Sequence, residues 1–266
     1  MRSPRVTLLL AACILFNPAT TPAIELITSC GQFVRGSGAL AGDLDCSATD
    51  DDAVKLQGRL HLNGHVLTGH PAHAAVRCLK GACRIEGPGT ISGAAEGVRS
   101  DKNTRLIGVT VTDNIGAGVH ALKKARLDGS SILDNGGTGV IADKIGASST
   151  DFLDNGDDGA HTVRKAQLSG CNVAGNAGDG VSSDRLVQVT HGTTVTNNGL
   201  DGVDAGRVML KTNASVTLNG TSAACGVTEE CDDLAVAYRP IIAAGTVCGT
   251  SRDTVDGGSW AACLDD

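Results

Sequence analysis

The densest chemistry in this 266-residue chain is Asp157-Asp158, with His161 three residues on and Arg164 beyond it. Paired carboxylates can do general acid/base work on a glycosidic bond. Asp158 also starts a second pattern, Asp158, Asp179 and Asp201, at intervals of 21 and 22 residues. If those intervals stack the three carboxylates, they repel unless one holds a proton or a cation intervenes. Calcium is the natural cation for oxygen ligands outside the cell. The plainer reading of the same residues is a hydrated acidic edge.

Cations recur at a similar interval. Lys102, Lys123, Lys144, Arg164, Arg185 and Arg207 each stand five residues after a glycine (Gly97, Gly118, Gly139, Gly159, Gly180, Gly202). Stacked about 4.8 Å apart, neighbouring unit charges repel by roughly 1 kcal/mol in water. Such a stripe would bind a linear polyanion, for example a uronic-acid polysaccharide. Against this, Asp101, Asp143 and Asp184 immediately precede three of the six, as expected of ordinary solvated side chains after a strand. Four of the seven histidines, His61, His65, His70 and His73, fall close together. They offer transition-metal ligands, but their spacing matches no tight ligand motif.

All these residues depend on a repeat to position them. Asn114, Asn135, Asn155, Asn176, Asn198 and Asn219 are separated by 21, 20, 21, 22 and 21 residues, and a glycine follows each of the first five at +4. A period this short means a solenoid, because one repeat cannot bury its own apolar face. Three residues before each asparagine stands an apolar residue: Val111, Ile132, Phe152, Val173, Val195, Val216. Five before stands a smaller column: Val109, Ser130, Thr150, Cys171, Thr193, Ala214. Polar residues separate the two, which is strand alternation. A leucine-rich repeat fits Leu106 to Asn114 but fails afterwards. The segment Asn135-Gly136-Gly137-Thr138-Gly139 is turn-forming, with no helical period. The expected fold is an all-β, right-handed parallel β-helix of about seven coils with disulfide-stapled ends. Its asparagines should form a ladder of amide hydrogen bonds.

Three stretches outside the regular register carry a family likeness: LHLNGHVLTG (60–69), RIEGPGTISGAAEGV (84–98) and the tail CGTSRDTVDGGSWAACLDD (248–266). They resemble secreted bacterial right-handed β-helix proteins of the pectin-lyase-like superfamily, which includes carbohydrate-binding proteins and sugar hydrolases. The resemblance implies the fold and a carbohydrate partner, and leaves activity open. In pectate-lyase-like enzymes, calcium-bridged carboxylates hold the substrate's acid groups and an arginine serves as the base in β-elimination. By resemblance, Asp158, Asp179, Asp201 and Arg164 are the residues for those roles. Pectin hydrolases of this fold carry Asn-Thr-Asp, Asp-Asp, Gly-His-Gly and Arg-x-Lys on successive coils. Only Asp157-Asp158 matches here; Thr190-His191-Gly192 departs from the pattern and Arg207 begins no Arg-x-Lys. The expected role is therefore binding of an acidic polysaccharide, or a cell-surface or structural role, ahead of a lyase or hydrolase activity.

Residues 1–23 read as a secretory signal, with Arg2 and Arg5, an apolar run from Val6 to Phe16, and Thr21-Pro22-Ala23. Leu10-Ala11-Ala12-Cys13 also resembles a lipoprotein box, which would anchor the chain at Cys13. The remaining divisions expected are an N-terminal cap (24–59), coils (60–220) and a cysteine-rich tail (221–266). Export favours disulfides. Eight cysteines fall into near neighbours, Cys30 and Cys46, Cys78 and Cys83, Cys225 and Cys231, Cys248 and Cys263, although spacing alone does not fix connectivity. Cys171 belongs to the small inward column and reads as a packing thiol. A net charge of −7 disfavours nucleic acid. Only 2% of residues are aromatic, so a neutral glycan would find few stacking platforms.

Overall fold

The computed structural model describes residues 24–223, 225 and 231–263. The expected signal segment, residues 1–23, and Cys13 with it, lies outside them. All described secondary structure is β, in a 14-stranded and a 10-stranded sheet whose strand pairings are parallel. Strands adjacent in each sheet come from successive windings, which makes the chain a parallel β-solenoid. There are about ten windings, against about seven expected. The difference lies at the ends. Gln32–Leu40 and Val54–His61 at one end, and Leu234–Ile242 and Ser251–Asp253 at the other, join the same sheet. These windings lack the asparagine register but keep the inward apolar alternation: Val34, Leu56, Leu234 and Val236 are fully buried.

The long strands turn a corner. In Val119–Asp128 the register to the next strand shifts between Ala121 and Lys124. Before the corner Val119 and Ala121 point inward and His120 outward. After it Ala125 and Leu127 point inward, and Lys124, Arg126 and Asp128 outward. Each winding therefore presents a first face before the corner, a second face after it, and a third face on the ten-stranded sheet. On the third face Val111, Ile132, Phe152, Val173, Val195 and Val216 stack in register, all with no solvent exposure.

The asparagine ladder is present. Each Nδ2 donates to the Oδ1 of the next winding, from Asn114 to Asn135 (2.9 Å) through to Asn198 and Asn219 (2.8 Å). Each Oδ1 also accepts the preceding asparagine's backbone N–H. The ladder ends on an acid: Asn219 donates to Asp233 Oδ1 at 2.7 Å. A carboxylate fits there because the last rung needs only an acceptor. The four neighbouring cysteine pairs are bonded as Cys30–Cys46, Cys78–Cys83, Cys225–Cys231 and Cys248–Cys263. Cys171 is a buried free thiol, held mainly by burial above its ordinary pKa. At the C-terminal end Trp260 packs on the core and donates from Nε1 to Val236 O (3.1 Å), covering the last winding. No helix among the described residues is long and apolar enough to cross a membrane.

Candidate functional site

The six cations expected at one address divide between two. The windings beginning at Val119, Ala160 and Val181 have two corner residues; those beginning at Val140 and Val203 have one. Counting five from the glycine therefore lands on different sides of the corner. Lys144 and Arg207 stand on the second face, where Lys144 pairs in register with Lys124 and Lys165, and Arg207 with Leu186 and Tyr238. Lys123, Arg164 and Arg185 occupy the corner itself, and Lys102 lies beside Lys123 (backbone N to O, 3.1 Å). The Arg207 guanidinium sits 5.5 Å over the Tyr238 ring. Arg164 makes a two-point pair with Asp143, with Nε 2.6 Å from Oδ1 and Nη2 against Oδ2. That pair raises the arginine's pKa and lowers the carboxylate's, which opposes use of Arg164 as a base.

The second face carries a column that the repeat counting missed. Arg59, Arg84, Arg105 and Arg126 stack in register on successive windings. Next to it runs Lys124, Lys144 and Lys165. The intervals of 21 from Arg84 to Arg105 and from Arg105 to Arg126 were available as a signal. Arg105 and Arg126 stand nine residues before Asn114 and Asn135, but Gly146 and Gln167 at the same address in the next windings break the run. Neutralisation is graded along this face. Arg59 (3.5 Å) and Arg84 share Glu86, which also meets His61 (3.1 Å). Arg105 reaches Asp128 only at 3.9 Å. Among the described residues, Lys124, Arg126, Lys144 and Lys165 form no ion pair. Partial burial, and then the nearby Arg126 and Lys144, push the Lys124 pKa down. On the first face, by contrast, the stacked cations Lys55, Arg77 and Arg99 each hold a carboxylate: Asp51 (2.5 Å), Asp101 (3.1 Å) and Glu96 (3.1 Å).

A groove of about 510 Å³ lies along the second face, with Arg105, Lys124, Arg126, Gln167, Gln188 and His191 among its walls. Gly146 occupies the arginine column's next position and contributes no side chain, so the floor opens between Arg126 and Gln167. The groove thus passes from cations to amides and hydroxyls along the solenoid axis. Gln167 Nε2 donates to Gln188 Oε1 (3.2 Å), and Ser148, Ser169 and Thr190 form the adjoining row. Cations next to neutral hydrogen-bonding groups suit a chain bearing both carboxylates and hydroxyls.

The acid column lies at the edge of the first face, and it is stacked as the intervals imply. Asp158 Oδ1 accepts the Asp179 N–H (2.9 Å), Asp179 Oδ1 accepts the Asp201 N–H (2.9 Å), and Asp201 Oδ1 accepts the Asp232 N–H (2.5 Å). Burial, then the neighbouring Asp158 and Asp201, raises Asp179 to about 8. Burial raises Asp201 to about 7 against the opposing pull of the Asp232 N–H and Arg252. The column is held by hydrogen bonds from successive windings, and burial with the neighbouring carboxylates favours the neutral form of Asp179. Those two features reduce the charge and lone pairs left for calcium. Arg252 closes the end, with Nε 2.9 Å from Asp232 and Nη2 3.4 Å from Asp201.

Asp158 and His161 do come together. Ser182 donates to Asp158 Oδ2, and His161 Nδ1 lies 2.7 Å from Ser182 Oγ and 3.6 Å from Asp158 Oδ2. The adjacent carboxylate raises the His161 pKa. Asp157 is exposed and accepts from Thr138 Oγ1 (2.8 Å). Arg164 is engaged at the corner with Asp143 instead.

No family model and no curated protein matches the chain. Among solved structures, the chain is similar to the A-module of mannuronan C-5 epimerase AlgE6 from Azotobacter vinelandii. The two are 13% identical, over 82% of this chain and 84% of that one, with a TM-score of 0.43.

Proposed function

We propose that this is an exported protein that binds a linear uronate-type polysaccharide along its second face, without chemical turnover. The observation that carries the reading is the pair of cation columns on that face, with Lys124, Arg126, Lys144 and Lys165 unneutralised beside a groove of amides and hydroxyls. Cations in excess of the one carboxylate on the groove wall, Asp128, favour an external anion. A polymer with one carboxylate per sugar can meet several windings at once, and multivalent contact multiplies weak single attractions. Lys144 belongs to both the expected stripe and this face. Lys102, Lys123, Arg164 and Arg185 flank it at the corner, and Arg207 extends it. Four disulfides fit an oxidising compartment.

The test is affinity for polygalacturonate and alginate, measured with wild type and with an Arg126→Ala/Lys144→Ala variant. Binding that weakens at least tenfold in the variant supports the reading; undiminished binding overturns it. No binding at all would leave a structural role.

The second reading is a lyase or hydrolase. Its supporting observation is the contact of His161 with Ser182 and Asp158, whose carboxylate raises the histidine's pKa. Turnover of the same polymers, followed as unsaturated ends or reducing sugar with and without calcium, and abolished by Asp158→Asn, would favour it over simple binding.

A further inference from the structure

The fold sorts the four clustered histidines into two kinds. His61 faces Glu86, and His65 faces Asp43 (Nδ1 to Oδ1, 3.3 Å). His70 and His73 are brought together. His70-Pro71-Ala72-His73 is a tight turn closed by the His73 N–H donating to His70 O (3.0 Å). Proline at its second position presets the bend. The two rings lie 5.3 Å apart between centroids. Asp50, from the preceding winding, places Oδ1 2.7 Å from His73 Nε2. One ligand atom from each of Asp50, His70 and His73 lies within 4.8 Å of the others, the only such group among the described residues.

We infer that Asp50, His70 and His73 form a binding site for a divalent transition-metal ion, with zinc as its natural occupant. Two imidazoles and a carboxylate are the donor set that zinc accepts, and three protein ligands leave a coordination position for water. The Asp50 contact holds His73 and the Ala72 N–H holds His70, and together they bring two imidazoles and a carboxylate into one ligand set. The backbone turns on both sides of the site are braced, while the Asp50 carboxylate itself is 89% exposed. The Ala95 N–H is shared between His70 O (3.2 Å) and His73 O (2.9 Å). The Asp50 turn is tied by Thr49 N to Cys46 O (3.0 Å) and Asp51 N to Thr49 O (2.7 Å), and Cys46 is bonded to Cys30. Such bracing lowers the ordering cost of capturing an ion. His70 Nδ1 accepts the Ala72 N–H (3.1 Å), and Nε2 has no partner among the described residues. Coordination through Nε2 would move the ring proton to Nδ1 and release that single bond. The site stands apart from the second-face groove and does not depend on polysaccharide binding.

The experiment is calorimetric titration of tag-free, disulfide-intact protein with ZnCl2 in a non-chelating buffer. One ion per chain is expected, and His73→Ala or Asp50→Asn should each weaken binding by about tenfold or more. His65→Ala should leave it unchanged. CoCl2 in place of zinc should give a visible absorption band that disappears in His70→Ala/His73→Ala. Absence of zinc binding, or unchanged affinity and stoichiometry in that double variant with its β-sheet circular dichroism intact, overturns the assignment.

Discussion

The acid column and the second-face cation columns meet the same problem and resolve it differently. A solenoid places equivalent residues of successive windings one strand spacing apart, so any charge in the repeat is repeated beside itself. Asp158, Asp179 and Asp201 respond by retreating from water. Each accepts a backbone N–H from the next winding, and Asp179 and Asp201 rise to about 8 and about 7. Arginine has no accessible neutral form, and Lys124, Arg126, Lys144 and Lys165 form no ion pair among the described residues. The acids are thus absorbed into the structure, while the second face keeps its field for something outside it.

The largest expected effect comes from placing a charge where neither escape is open. Asn155 is buried, donates to Asn176 and Ile132 O, and accepts from Asn135. Asn155→Asp would set oxygen against oxygen in that ladder, and urea unfolding should show a loss of about 3 kcal/mol. A loss below about 1 kcal/mol would mean the ladder tolerates charge as the acid column does.

Next is reversal of the cation face. Arg105→Glu/Arg126→Glu/Lys144→Glu should reduce affinity for polygalacturonate by about 100-fold at low salt, with a shallower salt dependence. Equal loss from reversing the paired cations Arg77 and Arg99 would erase the distinction between the faces.

The acid column should appear in the pH dependence of stability. Asp179 and Asp201 have raised folded-state pKa values, so their contribution is fully present below the unfolded value near 4 and is lost as pH rises through about 7 and about 8. Wild-type Tm should fall between pH 5 and pH 8. Asp179→Asn/Asp201→Asn keeps both Oδ1 acceptors and should flatten that fall by a few degrees, roughly 2–4 °C per kcal/mol of linkage removed. The same slope in the variant would show that other groups set the pH response.

The smallest effect should come from Arg164→Ala. Its guanidinium is already engaged by Asp143 at the corner, so uronate affinity should change less than about twofold. A larger loss would move the binding surface from the second face to the corner.

The solenoid was legible because its constraints are strictly periodic. An asparagine that must meet another asparagine, and a valine that must meet a valine, recur at fixed intervals in the text as they do in space. The cation stripe was legible only in part. Asp143 and Gly206 are single corner residues where neighbouring windings have two, and a one-residue difference moves a side chain across the corner. Arg59 and Arg84 were missed because their windings reach the same sheet without the asparagine that sets the register. The stacking of the acid column is readable from its spacing, but burial and acceptance of neighbouring N–H groups depend on which way the edge faces. His70 and His73 stand among four clustered histidines in the sequence, whereas Asp50 belongs to the winding before and no spacing links it to them.

Lysine acylation footprinting with hexagalacturonate tests the central claim most directly, because the lysines sample every part of the surface in dispute. Protection should concentrate on Lys124, Lys144 and Lys165, with Lys55, Lys80 and Lys211 labelled as in the free protein. Protection spread evenly over all eight lysines, or confined to Lys55 on the first face, would contradict binding along the second face.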